Sequence, residues 1–157
     1  MDPLEASVTV DLPPDRAFEL FTERLREWWP REFSWSQESL EEIGIEAHEG
    51  GFAYERGPHG FTLHWGRVLT SEPPQRIVFT WQIAPDRSPQ PDPDRASEVE
   101  VLFTGSPEGG TNVALEHRGW ARHGDGAQEY RDGFQTAGAW PQALESFAAT
   151  AAAQRPS

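Results

Sequence analysis

Alternation of apolar and polar residues is clearest between Trp65 and Trp81, where the sequence reads WGRVLTSEPPQRIVFTW. In the second half of this stretch, Ile77, Phe79 and Trp81 fall on one face of an extended chain, as in a strand that is buried on one side. The segment Glu72-Pro73-Pro74 separates this strand from the one before it. A buried face with so many aromatic rings indicates either a filled core or the wall of a cavity.

Similar runs predict seven strands, each bounded by residues that favour turns. In the fourth run, strict alternation would put Arg67 on the same face as Trp65, so we expect a β-bulge near Gly66 that shifts the alternation. The proline-rich segment Ala84–Ala96 has no large apolar residue, which predicts a long, exposed and mobile loop. The predicted strands are Ala6–Leu12, Ile43–His48, Phe52–Arg56, Phe61–Leu69, Gln75–Ile83, Glu98–Thr104 and Thr111–Trp120.

Two short helices are predicted after the first strand. The first opens at Pro13-Pro14-Asp15, because proline suits the first turn of a helix and an acidic residue suits the positive end of its dipole. The second is expected to start at Thr22 as its N-cap and to end before Pro30, which cannot continue a helix.

A long helix is predicted from about residue 125 to Ala153. Asp125 and Gln128 have the spacing of a capping box at its start. Gly138 and Pro141 both weaken a helical ladder, so we expect a bend between Ala137 and Pro141.

These elements predict an α+β protein in which a curved seven-stranded antiparallel sheet is wrapped on one long C-terminal helix. A chain of 157 residues is long enough for one domain with a substantial core. We expect that domain to cover residues 1–153, with residues 154–157 as a frayed tail.

Composition limits the classes of partner. The net charge is −13, which disfavours binding to nucleic acids and to anionic membranes. The chain has no cysteine and its five histidines have no compact ligand spacing, so neither a metal nor a cofactor is expected. The N-terminus does not look like a signal peptide, and no stretch approaches the roughly 18–20 apolar residues of a membrane span. A cytoplasmic protein without membrane insertion is therefore expected.

The chain resembles the activator of heat-shock-protein-90 ATPase homologue-like family, a member of the START and birch-pollen-allergen-like helix-grip (SRPBCC) superfamily. The resemblance implies the helix-grip fold, with a cavity for a small apolar molecule between the sheet and the last helix. It rests on the order and spacing of Trp28-Trp29-Pro30, Gly50-Gly51, Trp65-Gly66, Arg76–Trp81, Glu98–Phe103, Leu115–Trp120 and Gly138–Trp140.

The expected ligand-binding residues lie on the faces that are predicted to point inward, although a dry, filled core would explain the same pattern. They are Phe52, Tyr54, Trp65, Phe79, Trp81, Phe103, Leu115, His117, Tyr130 and Phe134.

Some polar and aromatic residues have two interpretations. His117 is either a ligand contact or a hydrogen-bonded core residue, and Glu46 with His48 is either a weak acid–base pair or a solvated strand end. Glu55 is expected to be an exposed charge. Tryptophans 28, 29 and 35 could form a cavity rim, a partner patch or a plug at the open end of the sheet.

The leading hypothesis is a module that binds an apolar or aromatic small molecule. The alternative is an enzyme of the polyketide cyclase or dehydratase type that uses His117, Tyr54 or Tyr130. A third hypothesis, a protein that regulates a chaperone ATPase, rests on the resemblance alone and ranks last. No catalytic residue is assigned, and a homodimer remains open.

Overall fold

The strands of the computed structural model, which describes residues 1–154, form one antiparallel sheet. The strands are β1 (Leu4–Val10), β2 (Glu42–Ile45), β3 (Phe52–Arg56), β4 (Thr62–Glu72), β5 (Arg76–Trp81), β6 (Ser97–Gly105) and β7 (Thr111–Arg118). Their order across the sheet is β1-β7-β6-β5-β4-β3-β2. The predicted seven-stranded antiparallel helix-grip architecture is therefore confirmed. Residues 155–157 of the expected tail lie outside the described residues.

Within the described part of the chain, three α-helices accompany the sheet: α1 (Pro14–Phe21), α2 (Ala127–Ala137) and α3 (Ala139–Ala153). Helix α3 packs beside β1 and contacts α1, so the concave face of the sheet is closed by α1 and α3 together. Among residues 1–154 no helix has the length and apolar character needed to cross a bilayer.

The second short helix is present as a 3-10 helix, but its predicted cap, Thr22, is wrong. The Thr22 hydroxyl donates a hydrogen bond to the carbonyl of Phe18 at 2.8 Å, so this residue closes α1 and does not cap a new helix. The 3-10 helix spans Leu25–Glu27, and two more 3-10 turns follow before β2, at Arg31–Phe33 and Gln37–Ser39. The Trp28 indole N–H then bonds the Leu20 carbonyl at 2.8 Å, which folds the chain back onto α1.

The bulge predicted near Gly66 is confirmed. Ala53 pairs with Gly66 and Tyr54 pairs with His64, which leaves Trp65 as the extra residue of β4. Trp65 and Gly66 are consequently both buried, while Arg67 is exposed on the outer face.

Gly66 provides a stability prediction. A methyl group at this position would collide with the Thr80 carbonyl oxygen and lie 3.1 Å from the Ala53 Cβ. We expect Gly66→Ala to lower the free energy of unfolding by about 1–3 kcal/mol in urea denaturation. At Gly133, in α2, a methyl group would meet nothing within 4 Å. Gly133→Ala should therefore raise stability by about 0.5–1 kcal/mol, and effects of the same sign would contradict the close approach at Gly66.

The predicted bend in the last helix is confirmed, but its cause is Gly138. This residue has φ +63°, and its N–H bonds the Phe134 and Gln135 carbonyls, which ends α2. Pro141 lies in the first turn of α3, where its missing N–H needs no partner. Replacing Pro141 is therefore not expected to straighten the chain.

The capping box predicted at Asp125 is also wrong. Gly126 is the N-cap of α2 and makes no side-chain capping bond. The helix thus starts one residue later than the spacing of Asp125 and Gln128 indicates.

The main core lies between the concave face of the sheet, α1 and α3. The Phe21 ring is 5.7 Å from that of Phe103 and 5.6 Å from that of Phe147, and both contacts are edge-on. Phe79, Phe103 and Leu115 are buried in this region. Side chains pack closely here, and a cavity lies instead at the other end of the sheet, where α2 and α3 meet.

Candidate functional site

A cavity of about 200 Å³ lies where the end of β5, the bend between α2 and α3, and the loop after α1 come together. Its apolar lining is dominated by the aromatic rings of Trp29, Phe33, Trp35, Trp81, Phe134 and Trp140. The exposed residues Glu32, Gln37 and Arg87 mark its mouth. The cavity is therefore an aromatic box with polar groups at one end.

Trp81 is the central wall of this box. It is 6% exposed, and its ring centre lies 5.5 Å from that of Trp140 and 5.7 Å from that of Phe134. Its indole N–H donates to the Tyr130 hydroxyl at 2.9 Å, and that hydroxyl donates to the Ile83 carbonyl at 2.9 Å. Burial raises the pKa of Tyr130 to about 12. The hydroxyl is thus protonated at neutral pH. Its hydrogen bonds link β5 and the residues after it to α2.

A buried polar chain runs behind Trp140. The Trp140 indole N–H bonds His117 Nδ1 at 3.0 Å, His117 Nε2 lies 2.7 Å from the Ser97 hydroxyl, and that hydroxyl lies 2.7 Å from His123 Nε2. An indole N–H can only donate, so His117 Nδ1 accepts and the imidazole proton sits on Nε2. Ser97 then accepts from His117 and donates to His123.

This chain makes His117 a core residue that orients Trp140. His117 is 0% exposed and does not line the cavity. Burial, with a smaller contribution from the charge of His123, holds the pKa of His117 well below its usual range. Burial also lowers the pKa of His123, to about 4. Both imidazoles are therefore neutral at physiological pH.

The two histidines predict a pH-dependent stability. An unfolded histidine titrates near 6.5, so between about pH 6.5 and pH 4 the unfolded state binds more protons than the folded state. The free energy of unfolding should therefore fall as the pH drops through this range. Urea denaturation at several pH values should show a shallower fall for His123→Gln and an unchanged fall for the exposed control His59→Asn. Equal slopes for His123→Gln and the wild type would contradict the assignment.

Glu55 holds the loop that forms one wall of the cavity. It is 0% exposed, and its carboxylate accepts the backbone N–H groups of Trp35 at 3.1 Å and Ser36 at 2.7 Å. The expectation of an exposed charge is wrong, because Ala53 and Glu55 take the inward positions of β3. Two backbone donors supplied by a distant loop make this burial possible.

The model of the family described as activator of Hsp90 ATPase homolog 1-like protein matches residues 11–152. The chain belongs to this family. A search of the curated proteins found no match.

Solved structures similar to this family member cover nearly all of the chain. The anthrahydroquino-γ-pyrone synthase Txn09, solved in complex with SUM, is 33% identical over 96% of this chain and 97% of its own, with a TM-score of 0.64. The self-sacrificing resistance protein CalC from Micromonospora echinospora is 28% identical over 97% and 95%, with a TM-score of 0.67. Protein MLL2253 from Mesorhizobium loti is 22% identical over 99% and 100%, with a TM-score of 0.66, and supports the fold alone.

The structure of this family member separates the ten expected ligand-binding residues into groups. Trp81 and Phe134 line the cavity. Trp65 lies behind the cavity, against the ring of Trp29 at 5.9 Å, and Tyr130 lines the neighbouring groove along α2. Phe79, Phe103 and Leu115 belong to the filled core, and His117 to the buried polar chain.

Phe52 and Tyr54 were expected to face inward, and that orientation is wrong. The Phe52 ring stacks on His64 at 4.0 Å, and the Tyr54 hydroxyl donates to Glu42 at 3.2 Å. Both lie on the outer face, because the inward positions of β3 belong to its other residues.

Glu46 and His48 do not form the pair considered from the sequence. A Glu46 carboxylate oxygen accepts the Phe52 backbone N–H at 2.8 Å, and His48 Nδ1 lies 3.2 Å from the Glu49 carbonyl. Among residues 1–154 no group of three or more His, Asp or Glu side chains is arranged to hold a metal ion.

Trp29 and Trp35, for which a rim position was one interpretation, do line the cavity. Sequence reasoning missed Phe33, Trp140 and Ala143 as lining residues. The sequence did contain a feature that points to Trp140, namely Gly138 two residues before it. In the structure Gly138 has a left-handed backbone conformation and begins the new helix that bears Trp140. Phe33 lies in an irregular loop where no periodicity indicates a direction.

Proposed function

We propose that this protein binds a compact, planar aromatic molecule in the cavity between the sheet and the bend of the last two helices. The observation that carries the proposal is the lining of indole and phenyl rings around Trp81. Flat rings favour edge-on and offset-stacked contacts, each worth about 0.5–1.5 kcal/mol beyond area burial. A planar polycyclic ligand offers several such contacts at once.

The size of the cavity favours a small ligand or the leading rings of a larger one. Its volume of about 200 Å³ is below the roughly 300–1,000 Å³ of typical ligand sites. Polar side chains are concentrated at the mouth, where Glu32, Gln37 and Arg87 lie. The fused rings would enter first, and polar substituents would remain near the opening.

A synthase or cyclase activity on an aromatic polyketide is the second candidate. The favouring observation is the 33% identity to Txn09, a synthase of an anthrahydroquino-γ-pyrone. In such an activity, the cavity would act by holding a reactive chain in a productive shape. Tyr130 and His117 would not supply proton transfer, because their polar atoms are already engaged.

Titration with 1,8-dihydroxyanthraquinone, followed by quenching of tryptophan fluorescence, tests the binding proposal. Ala143 lines the cavity, and Ala143→Leu should fill part of it and weaken binding about tenfold, as expected for lost ring contacts. Ala152→Leu, on the exposed face of the same helix, is the matched control and should bind normally. A folded wild type without saturable binding of any polycyclic aromatic probe would overturn the proposal.

A further inference from the structure

Arg87 lies at the junction of the aromatic cavity and a wider groove. The groove has a volume of about 690 Å³ and runs along α2. Arg87, Phe33, Phe134 and Ala139 line both spaces. A ligand that fills the cavity must therefore pass Arg87 wherever it extends into the groove.

The charge of Arg87 is not neutralised within the described part of the chain. Ion pairs there involve Arg24, Arg56, Arg76, Arg118, Arg122 and Arg131, and none involves Arg87. Arg87 differs from the other arginines without an ion pair in this part of the chain because it lines both spaces. The positive charge of Arg87 also opposes the rise in the pKa of Tyr130, which lines the same groove.

The backbone at Arg87 is held in a strained conformation beside the cavity. Its φ is +70°, a region that residues other than glycine rarely adopt. The Arg87 N–H bonds the Ala84 carbonyl at 2.8 Å, and its carbonyl accepts the Trp35 indole N–H at 3.1 Å. The turn at Arg87 is strained and is hydrogen-bonded to Trp35, which forms another wall of the cavity. These constraints fix the position of the Arg87 backbone, from which the side chain extends.

We propose that the Arg87 guanidinium binds an anionic oxygen at the edge of the aromatic ligand, so that the site selects acidic aromatic molecules over neutral ones of the same shape. A guanidinium suits this task because its planar fork of N–H donors matches a carboxylate or a pair of neighbouring oxygens. This inference rests on the proposed binding function and adds the charge of the ligand to it.

Glu32 acts in the opposite direction at the same mouth. It lines the cavity, and its negative charge disfavours an anion there. The two charges therefore have opposite expected effects. Removing the charge of Arg87 should weaken selection for an anionic ligand, and removing the charge of Glu32 should strengthen it.

The experiment compares two probes with the same three rings, anthraquinone-2-carboxylate and 2-methylanthraquinone. The wild type should bind the carboxylate about fivefold more tightly, a factor typical of one partly exposed charge-assisted contact. In Arg87→Gln this ratio should fall to one or below, because the charge of Glu32 remains, and in Glu32→Gln it should rise. Arg95→Gln is the matched control, because Arg95 is exposed in the same loop and lines neither space. Thermal denaturation checks that each variant is folded.

The outcomes separate the two proposals. If the wild type binds neither probe, the binding function itself fails. If both probes bind and Arg87→Gln keeps the wild-type ratio, only the role of Arg87 fails. If Arg95→Gln lowers the ratio as much as Arg87→Gln, the preference reflects overall charge and the role of Arg87 is again overturned.

Discussion

Trp81→Ala is expected to lower the free energy of unfolding by about 3–5 kcal/mol, as for large aromatic residues removed from a packed interior. Trp81 is 6% exposed and has rings on several sides, among them Trp65 at 5.5 Å and Trp140 at 5.5 Å. The cavity touches only part of its surface, so most of its contacts are core contacts. Urea denaturation at neutral pH measures the loss.

Part of this loss of stability comes from the hydrogen bond between the Trp81 indole N–H and the Tyr130 hydroxyl. Trp81→Phe keeps a ring but removes the N–H, and Tyr130→Phe leaves that N–H without its acceptor. Each should cost about 1–3 kcal/mol. The double variant should cost less than the sum, because both changes remove the same hydrogen bond. Strict additivity, or a Trp81→Ala loss below about 1 kcal/mol, would show that Trp81 is a loosely held cavity wall.

Strand pairing was predictable because it depends on a local period. Alternation located all seven strands, and the conflict between Arg67 and Trp65 was enough to place the bulge. Gly138 and Pro141 together located the break in the last helix. They did not separate its two possible causes, because that requires the backbone conformation of Gly138 and the position of Pro141 in the following turn.

The site was predicted only in part, because its residues come from segments that have no period. Trp81 and Phe134 were found from the faces of a strand and a helix. Phe33 and Arg87 lie in connecting segments that have no strand or long-helix period. The position of Arg87 also depends on a hydrogen bond to a distant residue, from Trp35 Nε1 to the Arg87 carbonyl. Phe52 and Tyr54 were misplaced because β3 has aromatic residues outside and a carboxylate inside, the reverse of the usual arrangement.

Because of this reversed arrangement the Glu55 carboxylate is buried, and replacing it is expected to have the second large effect on stability. Glu55→Ala should lower the free energy of unfolding by about 2–4 kcal/mol, because it leaves the N–H groups of Trp35 and Ser36 without their acceptor. Glu55→Gln should have a smaller effect, since its amide retains one acceptor oxygen. Glu41→Ala, at an exposed position before β2, removes the same charge and should change stability by less than about 0.5 kcal/mol.

Ligand binding should respond to Glu55 as well, although this residue does not line the cavity. Its carboxylate fixes Trp35, which does line the cavity and bonds the Arg87 carbonyl. Loosening Trp35 should therefore move both an aromatic wall and the turn that bears Arg87. We expect Glu55→Gln, measured at a temperature where it is fully folded, to bind 1,8-dihydroxyanthraquinone more weakly than Glu41→Ala does. Equal affinities in the two variants would mean that the loop keeps its position without the carboxylate, and the wall would then depend on ring packing alone.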